Sequence, residues 1–337
     1  MKKHGINRAQ NYRILAIQFY QNGNYKKALE FIQKSISIDD NSIAYFLLGN
    51  ILEDMGQEFE AVTAYEKATN HKPPLGEAYY NLAIITDKRG EPDKAIDYYH
   101  KALEINPEIT GAYYGIAIIL DDRGEKHQAL AYYQKTVEKD PTYDRAYFYI
   151  ANIYDEWGQK EKAVVYYQKV IELIPNDYIA YNNLGSIFEE LGRYVQAMEA
   201  IEESININHN YYKSHFNKGV VLAHMGKKVE ALQAYDKVLQ LNSNYIDAYN
   251  NKGVLLLEMG KFDEAIDTFS QAIKLNPQHE ASYYNRACCY ALSGKVEQAL
   301  EDLKISIKLN PRNIAFAKKC SDFDIMRKNH EFQQLIK

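Results

Sequence analysis

The side chains best placed for chemistry are carboxylates set in adjacent pairs at a fixed interval. Glu53-Asp54, Asp87-Lys88, Asp121-Asp122, Asp155-Glu156 and Glu189-Glu190 stand 34 residues apart, and nine of these ten residues are acidic. Sequence neighbours diverge around a helix, so the pairs do not converge as a general acid–base dyad or a metal cage. They can attract cationic groups, lysine and arginine above all, with weak calcium or magnesium attraction as the lesser alternative. Two other series keep the same step. Phe46, Tyr80, Tyr114 and Phe148 offer ring faces that can stack on arginine or hold lysine stems. Asn81, and then Asn183, Asn217, Asn251 and Asn285 in succession, offer amides that both donate and accept toward a passing peptide backbone.

Other chemistry finds no residues to carry it. The nine histidines are scattered, with no HExxH and no pair at zinc-ligand spacing. Cys288, Cys289 and Cys320 are odd in number and late in the chain, and the adjacent two can bridge only with backbone strain. They read as reduced thiols of a cytoplasmic protein, with Cys288 packed and inert. A net charge of −5 supplies no basic field for nucleic acid. No run of about 18 apolar residues is present to span a membrane. The basic start from Met1 to Arg8 lacks the apolar run of a signal peptide. The expectation is a cytoplasmic protein with no catalytic residue, no cofactor and no metal.

The interval itself reveals the elements that position these groups. Ala28, Ala61, Ala95, Ala129, Ala163, Ala197, Ala231, Ala265 and Ala299 lie 33 residues apart once and 34 thereafter. With each alanine numbered as the twentieth residue of a unit, the fourth place is aromatic or His, and the eighth is Ala or Gly. The fifteenth is glycine in all nine units, from Gly23 to Gly294. Large residues at the fourth and eleventh places share one face of a first helix. The small eighth residue and the alanine admit a second helix closely, glycine ends the first helix at positive φ, and Pro73, Pro107, Pro141, Pro175 and Pro277 follow the second. This is an antiparallel helix pair repeated nine times, and such a stack offers an extended surface rather than a catalytic pocket.

Tyr79-x-x-Leu82-Ala83, Gly90, Ala95, Tyr99, Ala102 and Pro107 together resemble a tetratricopeptide repeat, and the other eight units resemble it too. The resemblance covers roughly residues 9–311. It implies an all-α, right-handed superhelical solenoid of antiparallel helix pairs whose first helices line a concave groove, and it implies no enzymatic activity. Residues 1–8 are expected to be a flexible lead-in, 9–311 one solenoid, and 312–337 capping helices ending Phe332-x-x-Leu335-Ile336. Two departures stand out. Asp40 and a shorter link follow the first unit, which suggests a different packing angle there. Lys218, Lys252 and Arg286 replace the usual leucine at the seventh place, so their stems should pack while the charges reach solvent, or the late repeats should differ in curvature.

In this repeat class the second, fifth, sixth, ninth, twelfth and thirteenth places face the groove. The acidic pairs then form a stripe at the twelfth and thirteenth places of repeats two to six. There carboxylates oppose the helix dipole at a cost of ~0.3–1 kcal/mol each. A pattern costly to the helices suggests a reason outside them, although solubility is the competing explanation. Aromatics at the fifth place line the groove or pack on the neighbouring hairpin. The sixth-place amides resemble the asparagine ladder of the tetratricopeptide region in O-linked N-acetylglucosamine transferases. The chaperone carboxylate clamp is absent, because Asn183 with Lys213 is its closest approach. The sequence therefore points to a non-enzymatic scaffold for another protein or peptide, extended and basic, with no nucleic acid or membrane partner. The alternative is a structural or self-assembling spacer that uses its ends or convex face. The sequence carries no signal of oligomeric state.

Overall fold

In the computed structural model, residues 2–337 are described, with side chains from residue 7 on, and every regular element among the described residues is helical. The chain divides into two compact units between Trp157 and Gly158, inside the fifth repeat. Each repeat in such an array touches only its neighbours, so no single core runs the length of the chain.

The first unit carries α1 (Lys2–Gln21), α2 (Tyr25–Ile36), α3 (Ser42–Asp54), α4 (Glu58–Asn70), α5 (Gly76–Lys88), α6 (Pro92–Ile105), α7 (Thr110–Asp122), α8 (Lys126–Lys139) and α9 (Asp144–Glu156). The lead-in expected to be flexible is helical from Lys2 onward. Ala9 is fully buried beneath α2, where the Ser35 hydroxyl donates to its carbonyl, so the chain is anchored at the very start of the first repeat. Asp40 stands where proline is common, and Asn41 after it caps α3, its side-chain oxygen accepting from the Ala44 amide at 3.0 Å.

The second unit carries α10 (Lys160–Leu173), α11 (Tyr178–Glu190), α12 (Tyr194–Ile207), α13 (Tyr212–His224), α14 (Lys228–Leu241), α15 (Ile246–Glu258), α16 (Phe262–Leu275), α17 (Glu280–Leu292) and α18 (Val296–Leu309). Then follow α19 (Asn313–Lys319), a 3-10 turn over Ser321–Met326 and α20 (His330–Leu335). Phe323, Met326 and Phe332 from this last stretch are fully buried on α17 and α18. They close the apolar face that the ninth pair would otherwise expose.

Within a pair, the twenty-fourth side chain seats on the small eighth residue. A Cβ added to Gly253 would lie 2.6 Å from the Phe269 ring, and Gly49 stands in the same relation to Tyr65. The fifteenth-place glycines adopt φ between 69° and 78° with nothing near a would-be Cβ, so backbone handedness alone selects glycine there. The helix-pair architecture with a C-terminal cap is as the sequence predicts.

The seventh-place cations of the late repeats end on carboxylates, at exposed pairs for Lys218 and Lys252 and at a buried one for Arg286. Lys218 reaches Glu202 at 3.2 Å and Lys252 reaches Asp236 at 2.6 Å, each in the preceding second helix. Arg286 forks onto both oxygens of Asp302 at 2.6 and 2.8 Å and donates to the Ser270 hydroxyl at 2.8 Å. Asp302 is only 4% exposed. Lys218, Lys252 and the Arg286–Ser270 bond thus tie one hairpin to the preceding one, while the Arg286–Asp302 pair ties α17 to α18 within the ninth. Replacing Arg286 with Met leaves a buried carboxylate without its cation, and the expected loss is about 3–5 kcal/mol, read from denaturant unfolding of the C-terminal repeats.

Candidate interaction face on the first helices

The carboxylates sit in the last turn of their first helices, but the twelfth and thirteenth places have different fates. The twelfth place looks inward enough to meet the tyrosine of the second helix. The Tyr65 hydroxyl lies 2.7 Å from Glu53 and 2.8 Å from the Asn50 amide oxygen, and the Tyr133 hydroxyl lies 3.3 Å from Asp121. Burial, and then the bond to Glu53, hold the Tyr65 hydroxyl well above the usual tyrosine range. A buried phenol needs an acceptor, and a carboxylate at this place provides one. The helices therefore gain an internal reason for part of the acidic pattern. That reason was legible: units two to five pair Tyr65, Tyr99, Tyr133 and Tyr167 with an acid at the twelfth place.

At the exposed thirteenth place Glu156 and Glu190 meet lysines from the preceding repeat, and Lys126 also pairs with the twelfth-place Asp121 of its own repeat. Lys126 lies 2.7 Å from Asp121 and 3.1 Å from Glu156, and the bond to Asp121 holds its ammonium above the usual lysine range. In the second unit Lys160 reaches Glu190 at 2.6 Å, and Glu189 meets the His224 ring at 3.1 Å. Asp155 is half-buried. The stripe is thus compensated at Asp121, Glu156 and Glu190 by lysines of the same chain.

What remains is a shorter acidic stretch in the first unit, at Glu53, Asp54, Asp87 and Asp122. Glu53 and Asp54 accept from tyrosine hydroxyls, Asp54 from Tyr20 at 2.6 Å. Pro92 stands at the place from which Lys126 and Lys160 reach their acids, so Asp122 has no lysine there. Burial, and then the charge of Asp122, push the Asp87 carboxyl above the usual aspartate range. Two carboxylates on successive first helices bear on one another, and no Lys or Arg lies within ion-pair distance of either among the described residues. Exposed Lys88 stands beside them.

The amides and rings make contacts within the stack itself. The Asn81 amide donates to Asn50 at 3.1 Å, Asn217 to Asn182 at 3.0 Å and Asn285 to Asn250 at 3.2 Å, each across to the preceding repeat. Asn183 donates to the Tyr167 hydroxyl at 3.0 Å, and Asn251 is bonded to Tyr235. At least one N–H of each amide is thus engaged within the stack, and the Asn183 oxygen accepts from Asn182 at 3.2 Å. Phe46, Tyr80 and Tyr114 pack on the ring of their own second helix, at 6.0, 5.9 and 5.9 Å from Tyr65, Tyr99 and Tyr133. Phe148 is half-buried edge-on to Tyr149. These rings are chiefly packing, because the apolar eighth-place seat draws them against the second helix. In the second unit, a cavity of about 230 Å³ opens between α13 and α15, lined by Val220, Ala223, His224, Asn251, Val254 and Glu258. It forms where Ala223 breaks the acidic column.

Family models of the tetratricopeptide repeat match residues 43–73, 76–109, 112–143, 144–177, 212–245 and 246–279, with overlapping matches at 166–199 and 268–301. The chain belongs to the tetratricopeptide repeat family, whose members mediate protein–protein interactions. Over 44 residues, 13% of this chain, it is 54% identical to a TPR repeat-containing protein of Methanocaldococcus jannaschii, and that match spans 8% of the relative's length. Among solved structures, it resembles the C-terminal part of a TPR repeat-containing protein from Cytophaga hutchinsonii. Identity there is 20%, coverage 71% of this chain and 98% of that one, and the TM-score 0.57. A tetratricopeptide repeat protein from Parabacteroides merdae covers 77% of this chain and 97% of its own at 15% identity, with TM-score 0.56. Both likenesses concern the fold.

A carboxyl whose pKa rises on folding favours the native state at low pH and loses that contribution as pH climbs through the native value. At neutral pH the charge on Asp87 therefore costs stability. Asp87→Asn should raise Tm at pH 7, and the gain should vanish below the ordinary aspartate value of 3.8, as read from melting curves across pH.

Proposed function

We propose that the chain is a non-enzymatic cytoplasmic scaffold that takes up an extended, basic polypeptide along its first helices. Lysines or arginines of the guest would settle at Asp54, Asp87 and Asp122. The observation that carries this reading is Asp87, a half-buried carboxyl pressed by a second carboxylate with no cation of the chain in reach. A guest cation relieves that repulsion, so binding recovers energy that folding leaves unspent. Beside these carboxylates, the side-chain oxygen of Asn81 adds an acceptor for guest backbone N–H groups. A duplex or an anionic membrane surface would meet like charge at this stretch, and no helix among the described residues is long and apolar enough to cross a membrane.

Exposed charge pairs are worth about 0.2–1 kcal/mol, so neutralising Asp87 or Asp122 to Asn should weaken a lysine-rich peptide roughly twofold to fivefold each. Fluorescence anisotropy measures this, and affinity should also fall steeply with salt as the screening length drops below about 8–10 Å. An affinity indifferent to both changes, together with concentration-dependent assembly in light scattering, would favour the spacer reading instead.

Lys126→Ala provides the converse test. Removing the cation shared by Asp121 and Glu156 restores two charges to the stripe. The variant should bind the same peptide more tightly while melting at a lower temperature.

A further inference from the structure

The cap holds a cluster that the interaction face does not use. Cys288 on α17, Cys320 at the start of the 3-10 turn and Asp322 two residues on bring two sulfurs and a carboxylate oxygen within 4.8 Å of one another. Cys288 is 2% exposed, whereas Cys320 and Asp322 are half-buried and leave the cluster open on one side. The Cys320 sulfur accepts hydrogen bonds from the Cys288 thiol, the Asp322 backbone amide and the Tyr284 hydroxyl. Cys288 also bonds to Asp322. The third cysteine is not part of this arrangement: Cys289 faces the other way and packs with Leu256, Ile266 and Phe269.

We propose that Cys288, Cys320 and Asp322 form a binding site for a thiophilic divalent cation of the Zn²⁺ class, which fastens the C-terminal cap to the ninth repeat. Two sulfurs and one carboxylate suit Zn²⁺, whereas Mg²⁺ and Ca²⁺ prefer all-oxygen sets. Three ligands leave a fourth tetrahedral position on the open side for water. Binding replaces the thiol protons, which pass to solvent, and involves no electron transfer. The Tyr284 hydroxyl and the Asp322 amide would then orient the Cys320 sulfur from outside the ligand set. The carboxylate is what distinguishes a cation site from a pair of thiols placed to oxidise, since a disulfide has no use for Asp322. Ligands from α17 and from the turn lie 32 residues apart in sequence, so the ion would close a loop around α18 and α19.

The test uses the full-length chain, reduced and stripped of metal, titrated with Co²⁺ alone and then with Zn²⁺. The expected result is a near-ultraviolet sulfur-to-cobalt absorption that saturates at one equivalent and is abolished by one equivalent of Zn²⁺. Cys320→Ser should abolish it, and Asp322→Asn, at a half-exposed position that tolerates the change, should weaken Co²⁺ binding at least tenfold. Tyr284→Phe should weaken it about 10- to 100-fold without changing the stoichiometry. Cys289→Ser should leave it intact, and Zn²⁺ should slow proteolysis after Asn313 in the unmodified chain and in Cys289→Ser but not in Cys320→Ser. No absorption in the unmodified chain, or absorption that survives Cys320→Ser, overturns the proposal. So does Asp322→Asn binding Co²⁺ as tightly as the unmodified chain. Ready conversion of Cys288 and Cys320 to a disulfide by peroxide in a chain that takes up no Co²⁺ would make the cluster a redox pair instead.

Discussion

The seating of a large second-helix side chain on a small first-helix residue is the contact on which the rest depends. Tyr65 lies against Gly49 and Phe269 against Gly253 so closely that even a methyl group would intrude. This closeness fixes how deep each second helix sits. Where the side chain is tyrosine, its hydroxyl is then carried through the pair to the far side, where it needs an acceptor. The twelfth-place carboxylates answer that need at Glu53 and Asp121. Packing geometry and the acidic face are one arrangement.

Charge is distributed by the same logic of neighbours. Ion pairs on the face join one repeat to the next, as Lys126 does with Glu156 and Lys160 with Glu190, while Lys126 also holds Asp121 within its own pair. In the late repeats Lys218 and Lys252 move this exchange to the seventh place, whereas Arg286 there pairs with Asp302 inside its own hairpin and reaches the preceding one through Ser270. An array built this way can vary its surface one unit at a time. A proline in place of one lysine is enough to leave Asp122 and Asp87 facing each other. The acidic stretch is therefore a local omission in a largely neutralised column.

The asparagines show a related economy. In three of the five places the amide reaches the preceding repeat, and in Asn183 and Asn251 it engages a second-helix tyrosine. A polar group facing a half-buried seam bonds across it before it can serve a guest. The fifth-place rings follow suit and pack at a tilt on neighbouring rings of the stack. Residues that look like an open binding surface in a column of letters are in good part the joints of the stack. The cap repeats the theme: Phe323, Met326 and Phe332 finish the apolar seam, and their turn brings Cys320 and Asp322 to Cys288.

By itself the sequence determined the period, the helix pairs, the turn glycines and the closing segment. These follow from local rules: 3.6-residue periodicity, the sign of φ at Gly23 and its eight counterparts, and the need to cover a terminal apolar face. The tyrosine–acid pairing was also present in the columns, for a reader who set the twelfth place beside the twenty-fourth. Which carboxylates keep their charge uncompensated, and whether an amide or a ring faces outward, was decided only by tertiary structure. Those outcomes depend on partners about one repeat away whose approach is set by packing, and electrostatic compensation depends on distance in space, not on position in the chain.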